Sequence, residues 1–433
     1  MKLHPGRLFA TAAAVLAILG FAPSGIVHAD AENEIVVRVQ DQTSTGATTS
    51  KLPVAGAVII VTTTDGAEVA RATTSAEGLA SLRVAAGADY VVTLDLASLP
   101  DGSTMIREGT ERIELPASSF RTPVKALNFF TGQSADAARS DFERIAQRFI
   151  DGVRLGLIIA MCSVGLSLIF GTTGLTNFAH GELVSFGGLV AFLFNVTMGL
   201  PFFVAFPLAV IVGGAMGWLF NWAIFARLTK RGIGLVSQLV VSVGLSIMLR
   251  NIYLFQFGGR TRPLRSFSLQ EGLVLGPVRI TPRDLTTSAL SLVILVAVAV
   301  FLQRSRTGKA VRAVSDNVAL ASSTGIDTGR IIRLVWFVGG ALAATGGIFR
   351  GLDEQVSFDM GGRLLFLLFA GITLGGLGSA FGALVGGFVV GVLVEVASMV
   401  VPTELKTTPA LLILILVLLF RPQGILGRAQ RVG

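Results

Sequence analysis

Two hydropathy periods divide the chain. From Glu34 to about Leu127, apolar and polar positions alternate in short β-rich runs: Ile35-Val36-Val37-Arg38-Val39, Ala57-Val58-Ile59-Ile60-Val61, Ala80-Ser81-Leu82-Arg83-Val84 and Tyr90-Val91-Val92-Thr93-Leu94. Asp65-Gly66, Glu77-Gly78 and Ala86-Gly87 punctuate them as turns. About seven such strands in roughly a hundred residues predict a small all-β sandwich over residues 30–127. Beyond residue 151 the alternation gives way to long runs nearly free of charge, near 152–171, 183–199, 201–225, 232–256, 285–302, 331–350, 363–377, 380–401 and 408–420. A helix needs about 20 apolar residues to cross hydrocarbon, so residues 151–433 read as a polytopic α-helical membrane domain of about 8–9 transmembrane segments, with 363–377 and 408–420 short. Residues 128–150 are polar and then amphipathic, with Ala137, Phe142, Ile145, Ala146 and Phe149 near helical spacing. They predict a linker and a helix leading into the membrane. At the start, Lys2 and Arg7 precede the apolar run Leu8 to Ala22, and Val27-His28-Ala29 fits a cleavage site. Residues 1–29 therefore read as a signal peptide, with an uncleaved anchor as the alternative.

Composition agrees with the lipid assignment. Of 433 residues, 52% are hydrophobic and only 14% charged, against about 25% charged in a soluble domain. The net charge of +8 is unevenly placed: residues 30–130 hold 13 acidic and 8 basic residues, whereas 131–433 hold 25 basic and 14 acidic. That split argues for membrane topology rather than for nucleic-acid binding. Basic clusters at Arg227, Lys230 and Arg231, at Arg304 to Arg333, and at Arg421 to Arg431 belong on the cytoplasmic side by the positive-inside rule. Nine crossings with the β domain extracytoplasmic satisfy all three. The connection from Arg250 to Arg283, with six arginines, dissents. Cys162 is the one cysteine, so no disulfide forms within the chain. Apart from His4 and His28 in the leader, His180 is the only histidine, which excludes a His-based metal site or catalytic triad in one chain.

The candidate chemistry lies in two stretches. Gly171-Thr-Thr-Gly-Leu-Thr-Asn177-Phe-Ala-His180-Gly-Glu182 places ionisable groups between two charge-free runs. Asn177, His180 and Glu182 read either as a tight cytoplasmic turn with Glu182 at a helix start, or as a gate or interface element at the cytoplasmic end of the first two spans. In the connection 303–333, Val311, Val314, Val318 and Ala321 recur at helical spacing, with Lys309, Arg312, Asp316 and Asn317 on the other face, and Gly325 stops the helix. A single amphipathic helix of about four turns is expected, buried by a partner protein or lying on the membrane surface. Glu395 is the one carboxylate expected deep in a span, as a buried hydrogen-bond partner or a pathway residue. Small residues at Gly213-x-x-x-Gly217, Gly378-x-x-x-Gly382-x-x-x-Gly386 and Gly387-x-x-x-Gly391 predict close helix packing. No Gly-x-x-x-x-Gly-Lys-[Ser/Thr] occurs, because Gly308-Lys309 is followed by Ala310. Any nucleotide chemistry must come from another chain.

Two resemblances follow from these residues. The order Pro53-Val-Ala-Gly56-Ala57, Thr74-Ser-Ala-Glu-Gly78 and Gly87-Ala-Asp-Tyr90 resembles the carboxypeptidase-regulatory-like domain, which implies a β fold and a spacer or docking role without activity. Residues 150–433 resemble the permease subunits of branched-chain amino-acid ABC transporters of the LivH type. The resemblance rests on Gly174-Leu-Thr-Asn177-Phe-Ala-His180-Gly-Glu182, Gly308-Lys-Ala-Val-Arg-Ala313, Ala321-Ser-Ser-Thr-Gly325-Ile-Asp327, Leu374-Gly-Gly-Leu-Gly378 and Phe420-Arg421-Pro422-Gln-Gly424-Ile-Leu-Gly427. It implies a cell-membrane importer subunit that is not an enzyme and carries no cofactor or metal, with ATP bound by partner ATPase subunits. It also implies a homologous second permease subunit or a homodimer, and an extracytoplasmic solute-binding protein. Arg306, Gly308, Lys309, Val311, Arg312, Val314, Asp316, Val318 and Gly325 would then shape the coupling loop. The general importer pattern has Glu-Ala-Ala where this chain has Ala319-Leu320-Ala321. The alternatives are an ion-coupled secondary transporter of a small polar solute, and a surface receptor whose membrane part is an anchor.

Overall fold

The computed structural model describes residues 33–45, 48–99, 105, 111–117, 120, 124–132, 141–264, 273–401, 405–421 and 423–425. The expected signal peptide lies outside these. The chain divides into two compact units, Met1–Arg144 and Ile145–Gly433.

Among the described residues, the first unit holds eight strands: β1 (Asn33–Thr45), β2 (Thr48–Pro53), β3 (Val58–Thr63), β4 (Glu68–Thr73), β5 (Leu79–Val84), β6 (Tyr90–Leu94), β7 (Arg112–Leu115) and β8 (Val124–Gly132). One sheet is built on β1, which pairs antiparallel with β2 and β5 and parallel with β8. The other runs β4-β3-β6-β7. Alternation decides which side chains meet between them: Ile35, Val37, Val39, Ile59, Val61, Leu82, Val84, Val92 and Leu94 form one shared core. The predicted sandwich is thus present, but β8 runs past the expected boundary at 127. Its pairing continues to Gln42↔Gly132 and buries Phe129 and Thr131.

The second unit is helical. Its main helices are α1 (Asp141–Thr173), α2 (His180–Phe192, extended by a wider turn at Leu193–Thr197), α3 (Phe202–Phe220, extended through Asn221–Phe225 and Ala226–Lys230), α4 (Leu235–Phe257), α5 (Pro282–Arg304), α6 (Arg306–Asp316), α7 (Val318–Ser323), α8 (Thr328–Glu354), α9 (Met360–Gly375), α10 (Ala380–Ala397) and α11 (Thr408–Phe420). The hairpin β9 (Leu273–Leu275) and β10 (Val278–Ile280) precedes α5. Every apolar run of the sequence falls on a helix. Among the described residues, six helical stretches are long and apolar enough to span a membrane, while α9 and α11 are shorter. The helix expected to lead into the membrane is the first part of α1 rather than a separate element.

Bare backbones meet where small residues were expected to pack. A Cβ on Gly217 would lie 3.0 Å from the Cα of Gly340, and one on Gly391 would run into Gly156, so α3 crosses α8 and α10 crosses α1 in direct contact. Gly382 and Gly386 do the same against Gly375 and Gly371 of α9. Gly378 precedes the helix and takes a positive φ of 80°, so it belongs to a turn and not to that stripe. In lipid such contacts supply the dispersion energy that hydrophobicity cannot.

The connection 303–333 differs from the single helix expected. Asn317 is extended (φ −160°, ψ 109°) and accepts a hydrogen bond from Leu320 N–H through its side chain (2.9 Å). It therefore ends α6 and caps α7 in one residue. Ser305 caps α6 from Gly308 N–H (2.8 Å), Asp327 caps α8 from Arg330 N–H (2.8 Å), and Gly325 closes α7 at φ +85°. Val311 and Val314 are buried, with α6 packed on α5 and α8. Val318 and Leu320 are exposed.

Candidate functional site

The stretch 171–182 is not a tight turn at a helix end. Thr172 and Thr173 hydrogen-bond back to Leu168 and Ile169 carbonyls, Gly174 takes φ +69°, and α1 stops. Residues 174–179 then fold back along α1. His180 Nε2–H donates to the carbonyl of Cys162 (3.1 Å). Cys162 lies about three turns, or about 16 Å, before the end of α1. The chain has thus re-entered to mid-helix depth before α2 begins, and Asn177, His180 and Glu182 are fully buried.

Non-helical backbone at that depth survives only where protein satisfies it. Here Phe178 N–H donates to Ser242 Oγ (3.0 Å), and Ala179 N–H to Asn177 Oδ1 (3.0 Å). Every residue of α2 is buried. A second short helix begins beside it: Gly361 N–H donates to Ser185 Oγ (2.9 Å), and a Cβ on Gly361 would strike the carbonyl of Gly181. The first turns of α2 and α9 therefore lie against each other, each with its N-terminal partial positive charge inside the bundle.

Helix α4 supplies the side chains that meet them. Ser242, Ser246, Arg250 and Tyr253 recur at helical spacing, so one face delivers all four. Ser246 Oγ donates to Glu182 Oε1 (3.0 Å), and Tyr253 Oη to the Glu182 carbonyl (3.4 Å). Arg250 Nη2 is 3.6 Å from Glu182 Oε1, with Glu182 fully buried and the Arg250 side chain 43% exposed. Arg250 also lies against Gly362 in the first turn of α9, where a Cβ would collide with Nη2. The Arg250 role was missed in the sequence, although a charge with serines at i−4 and i−8 inside an apolar run is the signal that finds it.

Glu395 is elsewhere. It sits near the end of α10, 7% exposed at the side chain, with Lys406 Nζ at 2.6 Å and Arg148 at 3.9 Å. It is an ion-paired helix-end residue and not the mid-depth carboxylate expected; that position belongs to Glu182. A second network ties three helices: Arg154 of α1 reaches Asp284 of α5 (2.9 Å) and Asp353 of α8 (2.7 Å). Gln147 of α1 joins it to the hairpin, accepting from Arg279 N–H (2.8 Å) and donating to the Arg279 carbonyl (3.1 Å).

Residues 148–420 match the family model for the branched-chain amino acid transport system permease component. The chain is 32% identical over 303 residues to the high-affinity branched-chain amino acid transport system permease protein LivH of Salmonella typhimurium, covering 66% of this chain and 96% of that one. It is 30% identical over 298 residues to BraD of Pseudomonas aeruginosa, named as the permease protein of a like system, again 66% and 96%. It is 24% identical over 283 residues to the probable LivH of Methanocaldococcus jannaschii, covering 62% and 89%. Strands β1–β8 lie outside the matched residues.

Proposed function

This chain belongs to the family of branched-chain amino acid transport permease components, and on that premise we propose that it is the membrane subunit of an ATP-driven importer of branched-chain or other small amino acids. The family match across nearly the whole helical unit carries the reading. The power source is a separate ATPase, since no phosphate-binding loop occurs in the sequence. A second permease subunit, homologous or identical, and an extracytoplasmic solute-binding protein complete the assembly. The docking element is the turn formed by α6 and α7. Its apolar contact is Val318 and Leu320, with Lys309 and Arg312 exposed beside them. Val311, Val314 and Gly308 instead hold α6 to its own bundle. Asn177, His180 and Glu182 act as a gate at mid-depth.

A second reading has one observation in its favour. Ion-coupled transporters place carboxylates at mid-depth, and Glu182 lies there. Uptake of radiolabelled leucine into vesicles separates the two. Dependence on ATP with indifference to ionophores supports the importer; abolition by ionophores at full ATP supports ion coupling.

The β unit is assigned to the extracytoplasmic side from the acidic balance of residues 30–130. Asp65 lies on an exposed turn, and Cys162, the one native cysteine, is buried. Asp65→Cys is therefore expected to react with a membrane-impermeant thiol reagent in intact cells or spheroplasts, above a silent background. Labelling that appears only after lysis would reverse the orientation.

A further inference from the structure

We propose that Glu182 and Arg250 form an intramembrane binding site for the permeating amino acid, with Arg250 taking its carboxylate and Glu182 its ammonium. The inference rests on the permease reading above and goes further, because it names the groups that meet the solute.

Four observations converge. First, the pair is loosely engaged: 3.6 Å separates Nη2 from Oε1, whereas charge-assisted bonds run about 2.7–2.9 Å. Second, both partners keep bonding capacity. Glu182 Oε2 and Arg250 Nε are buried without a hydrogen-bond partner, and Glu182 is fully buried. Third, the local potential is lopsided. The N-termini of α2 and α9 and the Arg250 guanidinium contribute positive charge, and Glu182 stands against all three. The next carboxylate, Asp359, is already held by Arg363 (2.7 Å) and Ser357 (2.9 Å). Fourth, the Arg250 side chain is 43% exposed, so the pair can be reached from one side. An exposed arginine in a span must face protein or a polar route rather than lipid.

A zwitterion answers each of these at once. Its carboxylate accepts from the guanidinium in the planar geometry that arginine favours, and its ammonium donates to Glu182 Oε2. No net charge is added at mid-depth. Phe186 and Tyr253, packed beside the pair with ring centroids 6.3 Å apart, suit an apolar side chain.

The test uses the whole transporter, with partner ATPases and binding protein, reconstituted in liposomes and assayed by ATP-driven uptake of radiolabelled leucine. Wild type that fails to transport counts against the permease reading; the variants decide the site once it transports. Glu182→Gln and Arg250→Gln should each lower uptake at least about 30-fold, with the ATPase still co-purifying. The double variant Glu182→Gln/Arg250→Gln leaves no charge unpaired, and should stay as inactive as either single. A purely structural ion pair predicts the opposite, because removing both partners is close to neutral. Recovery of the double variant to within about threefold of wild type therefore overturns the proposal. Arg250→Lys keeps the charge and so guards against misfolding. It should assemble yet lose at least about tenfold in maximal rate through loss of the guanidinium fork. An unchanged rate would likewise overturn the site.

Discussion

Val318→Asp with Leu320→Asp is expected to abolish recovery of the ATPase with this chain, and uptake with it, while the protein still reaches the membrane. Both side chains are exposed on α7, so the substitutions cost the isolated chain little. In the assembly each would be buried by the partner. Covering a Val or Leu is worth about 1.5–3 kcal/mol, and an aspartate there brings an unpaired charge into a dry contact. Val314→Asp should fail differently. Val314 is fully buried between α6 and the rest of its own unit, so that change disrupts the chain before any docking. Arg312→Ala should be mild, since a single exposed charge contributes only about 0–1 kcal/mol. A complex recovered at normal yield with both aspartates would remove α7 from the docking role.

The second large effect is on stability. Arg154→Met leaves Asp284 and Asp353 facing a methionine where each met a guanidinium, and both carboxylates are nearly buried, at 13% and 12%. Breaking a buried pair by removing one partner costs about 3–5 kcal/mol. Arg283 and Arg350 remain at 3.2 Å from the two carboxylates, which places the expectation at the low end, about 3 kcal/mol. Since Arg154 joins α1 to α5 and α8, the loss should appear as a fall of about 5 °C in the apparent Tm of the detergent-purified protein. A shift below about 2 °C would show that the network is a surface feature with little hold on the bundle.

The sequence made the architecture readable because burial and lipid impose simple periods. Ile35, Val37 and Val39 point to one core by alternation alone, and the run 380–401 can only be a span. The glycine spacings were equally legible, since Gly217 or Gly391 has no reason to recur in register except to let backbones touch. What was hidden depends on contacts far apart in sequence. Nothing local reveals that residues 174–179 fold back along α1, because the evidence is a hydrogen bond from His180 to Cys162 and another from Phe178 to Ser242. The sequence points to Glu182, but its partner Arg250 reads there as the beginning of a loop rather than part of the α4 face. Val314 and Val318 share an apolar stripe on paper. Only the break at Asn317 separates the residue that binds its own bundle from the one left exposed. Glu395 shows the reverse error, in which an apolar run around a carboxylate suggested depth and the helix ended two residues later.

On the proposed reading, this chain moves a small amino acid at the expense of ATP hydrolysed by a partner. The direct measurement is leucine uptake into proteoliposomes containing the chain, its ATPases and the binding protein, with ATP or a non-hydrolysable analogue on the ATPase side. Accumulation against a gradient is expected with ATP and none with the analogue. Equal uptake with both, or accumulation that follows an imposed ion gradient without ATP, would contradict it.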